Sequence, residues 1–100
     1  MSGGPFRIHP AALDEAEVAL DWYARRSTRA AEMFANELDW AIERISQHPK
    51  QYALHEFGTR RIVLKRFPYL VVFWETATGV KIIAVAHGHR RPGYWRDRLE

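Results

Sequence analysis

Cysteine is absent from the 100-residue chain. That excludes disulfides, a thiolate nucleophile, and zinc or iron–sulfur sites built on cysteine. No apolar run approaches the roughly 20 residues that span a bilayer, and Met1-Ser2-Gly3-Gly4-Pro5 does not read as a signal peptide. A soluble cytoplasmic protein is therefore expected, with no membrane partner. Internal repeats, low-complexity segments and linkers are also missing. One hundred residues can bury a single core, so residues 1–100 are expected to form one domain.

What is present is unevenly charged. The net charge is only +3. Residues 1–50 carry six Lys/Arg against eight Asp/Glu, a net −2, and residues 51–100 carry nine against four, a net +5. The cations gather near one strand-like run and the tail, so an acidic partner is expected on that half, in preference to a merely solvated surface.

Hydrophobic spacing gives the elements. Phe6 to His9 alternates as a short strand does. Pro10 suits the first turn of a helix, whose apolar face is read as Leu13, Ala16, Leu20 and Tyr23, with Trp22 flanking. Asp14, Glu15 and Glu17 fall early in it and Arg25 and Arg26 late, the order that complements a helix dipole. Ser27 or Thr28 can cap a second helix with Ala31, Phe34, Leu38, Ala41, Ile42 and Ile45 on one face, ending before Pro49. Arg60 to Phe67 alternates Ile62 and Leu64 with Arg61, Val63 and Lys65. Tyr69 to Glu75 is strongly β-forming, Thr76 to Gly79 turns, and Val80 to Ala86 is another apolar strand. The fold class is α+β, ordered β-α-α-β-β-β. A helical hairpin packs on one face of a twisted, mainly antiparallel sheet.

Two stretches carry the chemistry. Arg66-Phe67-Pro68-Tyr69 joins two strands, and Ala86 to Trp95 packs histidines, arginines and aromatic rings where the last strand ends. Such a surface suits either a phosphate backbone or an acidic protein. His87 and His89 have a metal-like spacing, but the neighbouring guanidiniums disfavour a cation, and no metal or other cofactor is expected.

The ordered set of Ala16 to Trp22-Tyr23, Phe34, Leu38 and Ile45 before Pro49, Arg60-Arg61, Arg66-Phe67-Pro68-Tyr69 and His87-x-x-Arg90-x-Pro92-x-x-Trp95 resembles the RelE/ParE superfamily of type II toxin–antitoxin toxins, in its plasmid-stabilisation, ParE-like branch. The resemblance covers nearly the whole chain. It implies a growth-inhibiting toxin neutralised by a cognate antitoxin. RelE-like relatives cut messenger RNA on the ribosome without metal, whereas ParE-like relatives poison DNA gyrase. Fold alone does not choose between them.

Metal-free RNA cleavage needs a base, an acid and cations to hold the charged phosphorane. His87 or His89, Arg90 and Tyr94 could supply these, with His87, Arg90 and Tyr94 the catalytic set on this reading. Arg90 and Arg91 would clamp phosphate, and Arg61, Lys65 and Arg66 would line its track. Each has a plainer role as well: a local hydrogen bond for His87, tail packing for Trp95 and Tyr94, solvated charge for Arg61 and Lys65. Trp40 and Trp74 are read as core or antitoxin contacts.

One departure favours protein binding. RelE-like nucleases carry a basic residue just after the tyrosine that follows the turn, and here that residue is Leu70. The expected target-binding set is then Arg61, Lys65, Arg66, His89, Arg90, Arg91 and Trp95. The antitoxin is expected across the helical hairpin and sheet edge, with an acidic segment meeting the basic half. No recognition helix is visible, so direct sequence-specific DNA binding is not expected. The third reading, a non-toxic nucleic-acid or protein adaptor, ranks last.

Overall fold

The computed structural model describes residues 6–99, and the Gly3-Gly4-Pro5 lead-in to the first strand lies outside them. The elements are β1 (Phe6–Ile8), α1 (Pro10–Ala24), α2 (Thr28–Gln47), β2 (Arg60–Val63), β3 (Tyr69–Thr76) and β4 (Gly79–His87), with single 3-10 turns at Pro49–Gln51, Glu56–Gly58 and Arg96–Arg98. This is the expected α+β order. The sheet runs β1-β4-β3-β2; β1 pairs parallel with β4, and the other pairs are antiparallel. Both helices lie in the connection from β1 to β2 at the opposite edge, and β3 and β4 then pair back antiparallel until β4 lies beside β1.

Local chemistry sets the helix ends. His9 Nδ1 accepts from the Ala11 N–H ahead of Pro10, and Ser27 Oγ accepts from the Ala30 N–H at the start of α2. Arg26 donates to the Trp22 carbonyl, satisfying one of the unpaired acceptors at the end of α1. The acidic residues of α1 stand elsewhere than expected. With the helix beginning at Pro10 as expected, they fall beyond its first turn, where the dipole acts on them less.

The face of α2 is the expected one: Ala31, Phe34, Leu38, Ala41 and Ile45 are buried. The face of α1 differs. Ala12 and Ala19 are buried, with Ala16 and Tyr23 packed beside them, while Leu13 and Leu20 are 44% and 38% exposed. Small side chains let α1 lie close over β4 and α2, which turns the larger leucines outward.

β2 is shorter than its alternation suggested. Ile62 and Leu64 point into the core as expected, but pairing ends at Val63. The Leu64 N–H donates to the Tyr69 carbonyl, which closes the hairpin, and Lys65 to Pro68 bend away. In β4 the register slips by one. Val72 faces Ala84 and Phe73 faces Ile82, leaving Ile83 as a bulge. Val80, Ile82 and Val85 therefore face the helices, whereas Ile83, Ala84 and Ala86 face the opposite side.

Two cores result. Phe34, Leu38, Ile45, Ile62, Val71, Phe73 and Ile82 fill the space between helices and sheet, joined by an aromatic cluster of Tyr23, Phe67 and Tyr69. On the other face Val72, Ile83, Ala84 and Ala86 are covered by Trp95, with Tyr94 and Leu99 packed against them.

Candidate functional site

Tyr69 and His87 are opposite partners at the ends of β3 and β4. Beyond His87 the chain turns sharply. Gly88 N–H donates to the Pro68 carbonyl at 2.8 Å, Arg90 N–H to the His87 carbonyl at 3.0 Å, and His89 N–H to His87 Nδ1 at 3.0 Å. The two sequence motifs thus meet through their backbones, and the tail folds back over the sheet.

This turn opens a cleft of about 130 Å³ lined by Arg61, His55, His87, Arg90, Arg91 and Tyr94, with Leu70, Ala86 and Trp95 among its apolar walls. Along the sheet, Val63 pairs with Leu70 and Leu70 with Ala86, an apolar row flanked by the arginines. Val63 is 58% exposed. His89 lies outside the cleft, its ring 5.0 Å from that of His87 and nearly perpendicular to it. Burial, then the neighbouring Arg61, push the pKa of His55 down against the opposing pull of Glu56. The cleft therefore favours an uncharged imidazole there.

A network absent from the sequence reading anchors the tail. Glu15 on α1 accepts Arg98 on both oxygens at 2.9 and 3.0 Å, the Tyr94 hydroxyl at 2.6 Å, and the Val85 N–H at 3.0 Å. Arg98 also donates to the Ile83 carbonyl at 3.1 Å. Beyond β1, which pairs no further than Ile82, these side chains occupy backbone groups of β4 that a neighbouring strand would otherwise bind. Burial works against ionising Glu15, but the bonds from Arg98, Tyr94 and Val85 outweigh it and hold its carboxyl below the usual range. No sequence pattern connects position 15 with 94 and 98. The only hint was an acidic residue on the inner half of an otherwise alanine-rich helix.

Lys65 and Arg66 are not beside Arg61. They line a separate groove of about 320 Å³ against α2, with Met33, Asn36, Glu37 and Trp40. There Glu37 accepts the Arg66 N–H at 3.2 Å, and Lys65 Nζ sits 5.5 Å from the centre of the Trp40 ring. A single basic track through Arg61, Lys65 and Arg66 is thereby corrected to two surfaces. The early end of β2 is the cause, since the alternation that would have aligned Lys65 with Arg61 is broken at Leu64.

The family model described as the ParE toxin of the type II toxin–antitoxin system, parDE, matches residues 6–92. The chain belongs to the ParE toxin family. A solved chromosomal ParDE toxin–antitoxin system from P. aeruginosa has a chain that shares this fold at a TM-score of 0.73, with 16% identity over 84% of this chain and 95% of that one. Comparison with curated proteins finds no match.

Within this ParE-family fold, two of the expected site residues serve the tail. Trp95 is 2% exposed and lies under the cleft, so it can shape a binding surface only from beneath. The Tyr94 hydroxyl is bound to Glu15, and burial together with that carboxylate pushes its pKa well above the ordinary tyrosine value. A phenol so held is a poor proton donor. Its ring instead supports Arg90, whose guanidinium carbon stands 3.9 Å from the ring centre. Among the described residues, no helix is long and apolar enough to cross a membrane, and no group of three or more His, Asp or Glu could hold a metal ion.

Proposed function

We propose that this ParE-family chain arrests growth by binding a protein target, DNA gyrase, through the cationic cleft and the apolar row beside it, and that a cognate antitoxin neutralises it in the cytoplasm. The observation that carries this reading is the make-up of the surface. Arg61, Arg90 and Arg91 surround the cleft whose wall includes Leu70, and Val63, Leu70 and Ala86 form the neighbouring apolar strip. An apolar centre with an arginine-rich rim is the anatomy of a protein interface. Leu70 offers nothing to a phosphate, and Tyr94 is committed to Glu15. Arg90 lies over a tyrosine ring, which orders its side chain before any partner arrives.

The antitoxin reading rests on family membership and on charge. An acidic segment would meet the half of the chain with net +5, and the exposed Trp40 beside Lys65 offers an apolar foothold on the hairpin side. Among its outcomes the test includes ribosomal messenger RNA cleavage, because His87 and Arg90 share one cleft with Tyr94.

The deciding experiment is brief induction without antitoxin, followed by primer extension across abundant messages and a supercoiling assay with purified gyrase. Intact messages with inhibited supercoiling are expected. New translation-dependent cleavage ends would replace the protein-binding reading with a ribonuclease.

A further inference from the structure

Phe57 has φ 60° and ψ 34°, inside the Glu56–Gly58 turn, and the next residue, Gly58, has φ 77°. Turns with two successive positive φ values normally hold Gly, Asn or Asp, because a larger side chain crowds its own backbone there. Phe57 is the one non-glycine residue in that region among those described.

Its surroundings hold it in place. The ring packs edge-on against Trp95, with centres 5.9 Å apart at 82°, and the Arg96 guanidinium carbon stands 4.7 Å from the ring centre. Gly93 supplies the remaining room, since a Cβ there would come within 3.1 Å of Phe57 Cε2. Despite these contacts Phe57 is 47% exposed. A strained backbone, a stacked cation and a space-making glycine thus fix a large aromatic ring half in water, next to the Trp95 wall of the cleft.

We propose that Phe57 is an aromatic anchor for the toxin's protein target, entering an apolar recess whose rim carries carboxylates. The inference rests on the protein-binding reading above. A ring already held in one position loses little freedom on binding, and aromatic residues beside arginines are the usual centres of binding energy. The charge around it favours an acidic partner: Arg61, Arg91 and Arg96 stand in this region against Glu56 and Asp97. Strain of this kind persists where neighbouring structure enforces it, and it collects at binding sites.

Two variants test the anchor, Phe57→Gly and Phe57→Tyr. The first removes the ring and relaxes the backbone; the second keeps the ring. Growth arrest would be read across a titrated induction without antitoxin, alongside melting temperature and affinity for the antitoxin encoded beside the gene. For Phe57→Gly, about tenfold or greater loss of toxic potency is expected, with melting and antitoxin affinity close to wild type. Phe57→Tyr should restore potency. A toxic Phe57→Gly overturns the anchor while leaving the protein-binding reading intact. Loss of antitoxin affinity with toxicity retained overturns it too, assigning Phe57 to the antitoxin face. So does a loss of potency that merely tracks a lowered melting temperature. A wild-type chain that does not arrest growth removes the underlying reading and the anchor with it.

Discussion

The two faces of the sheet are closed by different physics. On the helix side, Phe34, Ile45, Val71, Phe73 and Ile82 are fully buried and meet one another in a continuous apolar cluster. On the other side a tail of about a dozen residues lies over Val72, Ile83, Ala84 and Ala86, held by one tryptophan and one carboxylate–guanidinium pair. Burial is non-directional and tolerates small adjustments, whereas the Glu15–Arg98 pair depends on four aligned hydrogen bonds to Glu15. The face with the slighter covering is the one that carries the cationic cleft. A binding surface built there takes its shape from how the tail is tied down.

The largest way to break this contrast is Phe34→Ala. Emptying the helix-side core should cost about 4 kcal/mol and lower the whole unfolding transition in urea. Arg98→Ala should cost about 3 kcal/mol, because it leaves the Glu15 carboxylate mostly buried without its cation. Its effect should be regional. Limited proteolysis would cut first within residues 88–99, while the helix-side amides keep their hydrogen-exchange protection. Protease resistance of the tail in this variant would show that Trp95, Leu99 and the Tyr94–Glu15 bond suffice to hold it.

Acid should sharpen the same contrast. Glu15 ionises in the folded protein below its ordinary value of 4.5. The stability it contributes is therefore complete above that value and is lost as pH falls through the lower folded-state one. Melting followed by near-UV circular dichroism, to which Trp95 and Trp74 contribute on the tail side, should show this loss. Glu15→Gln should remove that part of the pH dependence. The smallest effect on stability belongs to Arg90→Ala, below about 0.5 kcal/mol for an exposed side chain. Its effect on growth arrest should nonetheless be large, which would separate the cleft's binding role from the tail's structural one.

Much of the architecture was legible because it depends on local rules. The spacing in α2, the dense β-forming run of Tyr69 to Glu75 and the proline positions each announce an element. The polar residues of the cleft were legible as a group, since Arg61, His87, Arg90 and Arg91 do converge. Lys65 and Arg66 were not, because one turn of chain after Val63 redirected them. Trp95 illustrates the limit from the other direction. Its sequence context supports two readings, target contact and tail packing, and the apolar floor of the sheet beneath it decides for packing.

Sequence alone determined the order of elements, the apolar face of α2 and the basic character of the second half, since each follows from periodicity or composition within a short window. Tertiary structure decided the parallel place of β1, the bulge at Ile83, the split of the cations and the left-handed Phe57. It also decided that Glu15, far from acting as a helix-dipole charge, joins residues 70 to 83 positions away. Such links depend on which backbone groups remain unpaired once the sheet has formed, and no local pattern of residues encodes that.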